Sequence, residues 1–468
     1  MRRRPGMTLL GRVHAKLGDL WWYTALLFVA QRFGDAVNMV IGIWLVPKYV
    51  PMRELGAVLP LLSIVGIVGL PFAVVTTPLT RFLAIYSKSG ELGKAKAMFR
   101  DAFVASAALL FVSFLIAAFA LPFFFERLWI GKGSLGVLVI AVALIGTLSS
   151  IVGSAMQGLG KFDAVVAINA ISAPFRLVTF IVLLPFRPLS AYFVGQAAQP
   201  GVTIVGGLWA CRSLFSRTVR AVPYLREDGR KILCYTLPVL LWTIATTVAG
   251  NVDMMLIRHR LPEFESAGFY VVSRFSEVAA YFGSAFAFLL FPMASVCGSK
   301  DAKSLRLIRH AVLGCIVSGA LVAGLLALGG ERLLSLTSVW RPYIGFSDEM
   351  ALLALNSTVG IAVTCLVSFE MAQDRFGFLW YLVPLFAVKA LLLLSVSGCA
   401  FFGNLMPVGI RPVIDAVNPN RLSFLVTAFL AFNVIGAVLL AIDVFTIRRS
   451  KSSIRLAHRA DSAKVAIL

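Results

Sequence analysis

The chain has 468 residues, of which 59% are hydrophobic and only 14% charged, with a mean hydropathy of +0.89. A soluble globule carries about 25% charged residues, so there are too few here to coat one, and a water-soluble enzyme is excluded. The net charge of +21 would suggest nucleic acid in a soluble protein. Here the basic residues sit mostly in short loops between apolar runs, with no basic stripe interleaved with stacking aromatics. No nucleic-acid partner is expected, and the charge reads as a topology signal facing anionic membrane lipids.

In chain order, "MRRRPG" opens the sequence. It is basic, but no short apolar core with a small-residue cleavage site follows, so a cleaved signal is not expected. Apolar runs long enough to span then recur about twelve times. They cover roughly 20–45, 56–80, 102–121, 135–157, 164–185, 189–211, 233–257, 266–292, 311–330, 349–371, 378–402 and 423–447. Several contain proline, including Pro71, Pro174, Pro238 and Pro384; membrane helices tolerate it where neighbouring groups satisfy the freed carbonyls. The fold class expected is an all-α integral membrane protein of about twelve transmembrane helices.

Orientation follows from the loops. Placing the N-terminus inside puts the basic stretches near 81–100, 212–231, 300–309 and 448–464 on the inner side. The outer loops keep only scattered cations such as Lys48, Arg127 and Arg341. Both termini are therefore expected in the cytoplasm, in a multi-pass protein of the cell (inner) membrane.

The chain also repeats. "PMRELGAVLPLLS" at 51–63 resembles "PEFESAGFYVVSRFS" at 262–276, each followed by a basic inner loop. "AMQGLGKF" at 155–162 parallels "EMAQDRF" at 370–376. The matches keep their order at a spacing near 212 residues. This predicts a duplication: a six-helix lobe at 1–211, a linker loop at 212–232, a second six-helix lobe at 233–447 and a basic tail at 448–468. Lobes of six spans share one orientation and would be related by a pseudo-two-fold axis along the membrane normal.

These features together resemble the polysaccharide exporter branch of the multidrug/oligosaccharidyl-lipid/polysaccharide (MOP) superfamily, the Wzx-type flippases. The stretch that carries most of the resemblance is "NVDMMLIRHRLPEFESAGFYVVSRFSEVAAYFGSAFAFLLFP" at 251–292, with an Asn-x-Asp, then Gly-x-Tyr, an Arg and a closing Pro. The "MQGLGKF" turn after the fourth span is also family-like. The resemblance implies a MATE-like, two-lobed fold with a central cavity. It also implies movement of lipid-linked oligosaccharide, on a polyprenyl phosphate or pyrophosphate, across the cytoplasmic membrane by alternating access. Other polysaccharide assembly proteins would be its partners. MATE drug exporters are relatives, so a cation-coupled multidrug exporter is an alternative.

Charges inside the spans are the candidate site. The bases are Arg32, Arg176, Arg274 and Lys389; the acids are Asp35, Asp253 and Glu277. A charge at the bilayer centre costs about 3 kcal/mol on insertion scales. Arg32 with Asp35, and Arg274 with Glu277, are three apart and share a helix face. Two readings stand: the pairs lock helices together, or they line a hydrophilic cavity whose cations receive a lipid-linked phosphate. Arginine suits the second because its fork donates two parallel hydrogen bonds and stays charged. Asp253, with no partner three or four positions away apart from bases at the helix end, has two readings: a coupling site for H⁺ or Na⁺, for which it is the leading candidate with Asp35 and Glu277 beside it, or an N-cap-like or interface Asp near the outer surface.

No other cofactor is expected. The Gly-Lys pairs at 93–94, 131–132 and 160–161 lack the phosphate-loop pattern. The six cysteines form no C-x-x-C, and the four histidines lie far apart, so neither a disulfide framework nor a metal site is expected. A membrane-embedded polymerase or glycosyltransferase is the rival from another class. It would need a sizeable outer domain, and the longest outer loops, roughly 331–348 and 403–422, concentrate neither acids nor histidines.

Overall fold

The computed structural model describes residue 26 and residues 28–127, 133–215, 220–296, 302–372, 375–396 and 422–444. All regular structure among them is helical. Helix α1 covers 28–49 and includes a π-helical segment at Val40–Leu45. After a single helical turn at Met52–Leu55 come α2 (Val58–Lys88), α3 (Leu92–Arg127), α4 (Gly133–Gly158), α5 (Phe162–Leu183) and α6 (Pro188–Ala210). Then follow α7 (Leu225–Arg260), α8 (Glu263–Val296), α9 (Ala302–Ser335), α10 (Ser347–Ala372), α11 (Leu379–Val396) and α12 (Leu422–Ile442). Each meets one of the apolar runs. Seven of the described helices are long and apolar enough to cross a membrane by length and composition.

Helices α3, α7 and α9 begin well before their apolar runs, within the basic loops, because Leu, Lys, Arg and Glu there are good helix formers. The turns on this side are tight. Gly90 (φ +76°) and Gly160 (φ +68°) end α2 and α4 in the left-handed conformation that costs glycine nothing. In each, the next residue closes the helix: Glu91 N–H to Tyr86 O at 2.8 Å, and Lys161 N–H to Met156 O at 2.9 Å. Both are Schellman motifs. Hydroxyls within the helices bond back one turn, as Thr80 to Thr76 and Ser154 to Ser150, so these polar side chains lie in the bundle without open donors.

The chain falls into two compact units, Met1–Val271 and Val272–Leu468. In the first, α2 packs on α3, α4 and α7, α4 on α3 and α6, and α5 on α6. In the second, α9 packs on α10, α10 on α12, and α11 on α12. The pairings α3–α4, α4–α6 and α5–α6 thus recur six helices later as α9–α10, α10–α12 and α11–α12.

The start of α7 is pinned to the α2–α3 turn. Lys94 Nζ lies 2.6 Å from Glu227 and 3.0 Å from Glu91, and Tyr86 donates its hydroxyl proton to Asp228 at 3.0 Å. The hydrogen bond with Glu227, then that with Glu91, holds the Lys94 ammonium above the ordinary lysine range. Beside it, Val222 N–H meets Gly93 O at 3.1 Å. A cavity of about 190 Å³ there is lined by Arg100, Asp101, Val222, Pro223 and Tyr224.

Candidate functional site: buried cations of the first unit

Helix α1 presents one polar face. Gln31, Arg32, Asp35 and Asn38 follow at helical spacing, among apolar neighbours. Arg32 Nη2 lies 3.0 Å from Asp35 Oδ2, and Gln31 Nε2 donates to Asp35 Oδ1 at 3.3 Å. The Arg32 guanidinium also sits 5.5 Å from the centre of the Phe28 ring. Arg32 is thus neutralised within its own helix, as the spacing of three predicts.

Arg176 is held differently. It lies on α5 with only 7% of its surface exposed. Its Nη1 donates to Asn38 Oδ1 of α1 at 2.8 Å, and its guanidinium stands 5.6 Å from the Tyr192 ring centre on α6. Tyr192 accepts a hydrogen bond from Gln196 Nε2 at 3.0 Å. Gly195 permits the close approach of α6: a Cβ there would lie 3.3 Å from the Arg176 carbonyl oxygen. Gly34 does the same for α1, whose missing Cβ would lie 3.7 Å from that of Ala173. Arg176 Nε is buried without a hydrogen-bond partner, and no carboxylate among the described residues pairs with the side chain. An amide oxygen and an aromatic face solvate this charge without neutralising it.

In the second unit, Arg274 Nη1 and Glu277 Oε2 of α8 are 2.8 Å apart, and Tyr281 adds a longer hydrogen bond to Glu277 at 3.4 Å. Lys389 of α11 is 3% exposed, with its ammonium 5.2 Å from the centre of the Phe429 ring on α12. Asp253 belongs to α7, but its side chain lies outside the described residues.

The structure therefore pairs Arg32 with Asp35 on α1, bonds Arg176 of α5 to Asn38 further along α1, and pairs Arg274 with Glu277 on α8. Two partners of Arg176 escape sequence reasoning. Asn38 is visible as a polar residue three positions after Asp35, but nothing in the sequence aims it at α5. Tyr192 carries no signal at all. The second unit holds further cross-helix polar contacts of this kind, Asn433 to Asn356 at 2.8 Å and Tyr381 to Asp443 at 2.9 Å.

No family model matches the chain, and no curated protein matches it in sequence. Solved structures do match. An outward-facing multidrug resistance MATE transporter of the MOP superfamily superposes with a TM-score of 0.65 at 14% identity, covering 94% of this chain and 98% of that one. The inward-facing form of a MATE transporter gives 0.61 at 16% identity, covering 89% and 96%. A MOP superfamily transporter from Pyrococcus furiosus, described as having a binding pocket of reverse polarity, gives 0.63 at 16% identity over 97% and 99%. The chain has the MOP transporter fold. It is a multi-pass, all-α membrane protein, and the likeness at these identities is one of fold.

Proposed function

We propose that this protein is a flippase that carries lipid-linked oligosaccharide across the cytoplasmic membrane by alternating access. The observation that supports the reading is Arg176: a cation buried among helices that would span the bilayer, held in place by Asn38 and Tyr192 but not neutralised. A polyprenyl phosphate or pyrophosphate must bring negative charge through lipid, and an uncompensated guanidinium offsets part of its lost hydration. Arg32, exchangeable between Asp35 and a phosphate, is the neighbouring contact. Arg274 and Lys389 take the same role in the second unit, and Asp253, Asp35 and Glu277 are the proposed H⁺ or Na⁺ coupling groups.

On this reading the basic loops face the cytoplasm with both termini. The lobes are 1–211 and 233–447, joined by the linker at 212–232, and the recurring helix pairings favour such a duplication. Polysaccharide assembly proteins would supply and consume the cargo.

A cation-coupled drug exporter is the second reading, favoured by the MATE structures among the neighbours. It sits less well with Arg176, whose charge repels an organic cation. The deciding experiment is reconstitution in liposomes with a lipid-linked oligosaccharide, its leaflet accessibility read with and without an imposed gradient. Movement of the lipid-linked sugar supports the flippase; cation efflux without sugar movement supports the exporter; glycosyl transfer by the purified protein overturns both.

A further inference from the structure

The segment that leads into α7 lies against the start of α3, and the two enclose the cavity of about 190 Å³. Gly93 permits the approach: a Cβ there would lie 2.6 Å from the Arg220 carbonyl oxygen and 2.8 Å from Val222 Cγ2. The bond from Val222 N–H to Gly93 O holds the segment in place. The space far exceeds the roughly 10–15 Å³ that one water needs.

Its walls are polar on one part and apolar on another. Arg100 directs Nε and Nη2 to a single oxygen of Asp101, at 3.0 and 2.8 Å, and keeps its Nη1 donors. Tyr224 is only 8% exposed, yet its hydroxyl has no hydrogen-bond partner among the described residues. Burial, then the Asp101 carboxylate, holds that hydroxyl above the ordinary tyrosine range, with Arg100 opposing, so it stays a donor beside the Arg100–Asp101 pair. Val222 and Leu225, also on the wall, are exposed apolar side chains.

The charge at the mouth is positive. Arg220 and Arg226 stand on either side of the lining segment 221–225, exposed and without an ion pair among the described residues. The carboxylates that follow are occupied, Glu227 by Lys94 and Asp228 by Lys94 and Lys231. Arg100 lies two residues before the apolar run at 102–121, about 3 Å along a helix. The headgroup layer on each side of the hydrocarbon is about 5–7 Å thick, so Arg100 is at the depth of lipid phosphates. A soluble anion would use the cations and leave Val222 and Leu225 bare; a ligand with an apolar part covers both.

We propose that this cavity binds the phosphate headgroup of an anionic phospholipid. Arg100 Nη1 and the Tyr224 hydroxyl donate to the phosphate oxygens, Arg220 and Arg226 add charge, and Val222 and Leu225 meet the glycerol and acyl carbons. The lipid staples the segment entering α7 to α3. The inference is independent of the cargo and takes from the proposed orientation only that the inner leaflet supplies the lipid.

The test uses the full-length protein in a neutral detergent. Its melting temperature is read with and without added phosphatidylglycerol or phosphatidylcholine, so that each variant's own stability is subtracted. Phosphatidylglycerol should raise the melting temperature and phosphatidylcholine should not. The phosphatidylglycerol concentration giving half the shift should rise about tenfold in Arg100→Gln and about threefold in Tyr224→Phe, which keeps the buried ring. Lys88→Gln removes an exposed cation of the same side that does not line the cavity, and the half-shift concentration should stay as in the wild type. An equal loss in Lys88→Gln and Arg100→Gln means that the basic surface attracts lipid diffusely, and overturns the site. A wild-type response in the double variant Arg100→Gln with Tyr224→Phe overturns it as well. Glycerol phosphate that gives the same shift at the same concentration makes the site one for a soluble phosphate ester and overturns the lipid. None of these outcomes depends on transport, so the site and the flippase reading stand or fall separately.

Discussion

Replacing Arg176 by methionine separates a binding arginine from a packing one. Methionine keeps the length and removes the charge. The change gives up a charge-assisted hydrogen bond to Asn38 at 2.8 Å, worth about 1.5–3 kcal/mol. It also gives up the contact with the Tyr192 ring at 5.6 Å, worth about 0.5–2 kcal/mol. Against these losses stands the cost of keeping an arginine among spanning helices, about 2.5–3.5 kcal/mol on insertion scales. The two sides nearly cancel. What remains is Asn38, whose amide oxygen is left without its donor at about 1–3 kcal/mol.

Arg176→Met alone should therefore be modestly destabilised, and Arg176→Met with Asn38→Leu should return close to the wild-type melting temperature. Thermal unfolding in detergent, with accumulation in the membrane as a second readout, checks this. Transport of lipid-linked oligosaccharide in liposomes should fall at least about tenfold in both variants, while Arg176→Lys keeps part of it because the charge stays and the fork is lost. A double variant that is stable and transports at the wild-type rate refutes the phosphate role and leaves Arg176 a packing residue.

Arg274→Ala leaves Glu277 with only the 3.4 Å contact from Tyr281, so the protein should accumulate poorly; adding Glu277→Gln should restore accumulation without restoring transport, and normal transport by that double variant would assign the pair to packing. Asp253→Asn should remove any dependence of transport on pH or Na⁺ while the protein still reaches the membrane; an unchanged pH and Na⁺ response releases Asp253 from coupling. Lys94→Met unties the α2–α3 turn from the start of α7 and should lower the melting temperature. Because the folded-state lysine value is raised, the contribution is whole below the unfolded value of about 10.4 and is lost as pH rises past it. The difference from wild type should then be flat between about pH 6 and 9, and one that grows across that range refutes the assignment. A reporter active only in the cytoplasm should work when fused after Arg230 and fail at Arg341; the reverse inverts the orientation.

The helices were legible because lipid and helix geometry leave few choices: a run of about twenty apolar residues has to be a helix. Their ends were less so. The apolar run near 102–121 says where a span crosses, but α3 begins at Leu92, since Lys94, Lys96 and Arg100 are helix formers that hydropathy counts only as polar. Within one helix the pairs Arg32–Asp35 and Arg274–Glu277 could be read from a spacing of three, because 3.6 residues per turn brings such side chains together. Between helices that arithmetic fails. Nothing local tells Asn38 that Arg176, 138 positions away, will need its oxygen. The repeated pattern shows how far sequence can carry: 51–63 and 262–276 look alike, but segments that look alike need not touch. That Gly56 and Ser266 do touch, with Ser266 donating its hydroxyl proton to the Gly56 carbonyl oxygen at 3.1 Å, depends on the close approach of two helix ends, which the absent side chain of Gly56 permits and its sequence neighbours do not announce. The informative polar groups in a chain of this kind are those whose partner lies on another helix, because only a folded bundle can satisfy them, and Arg176 is such a group, with no carboxylate among the described residues to balance its charge.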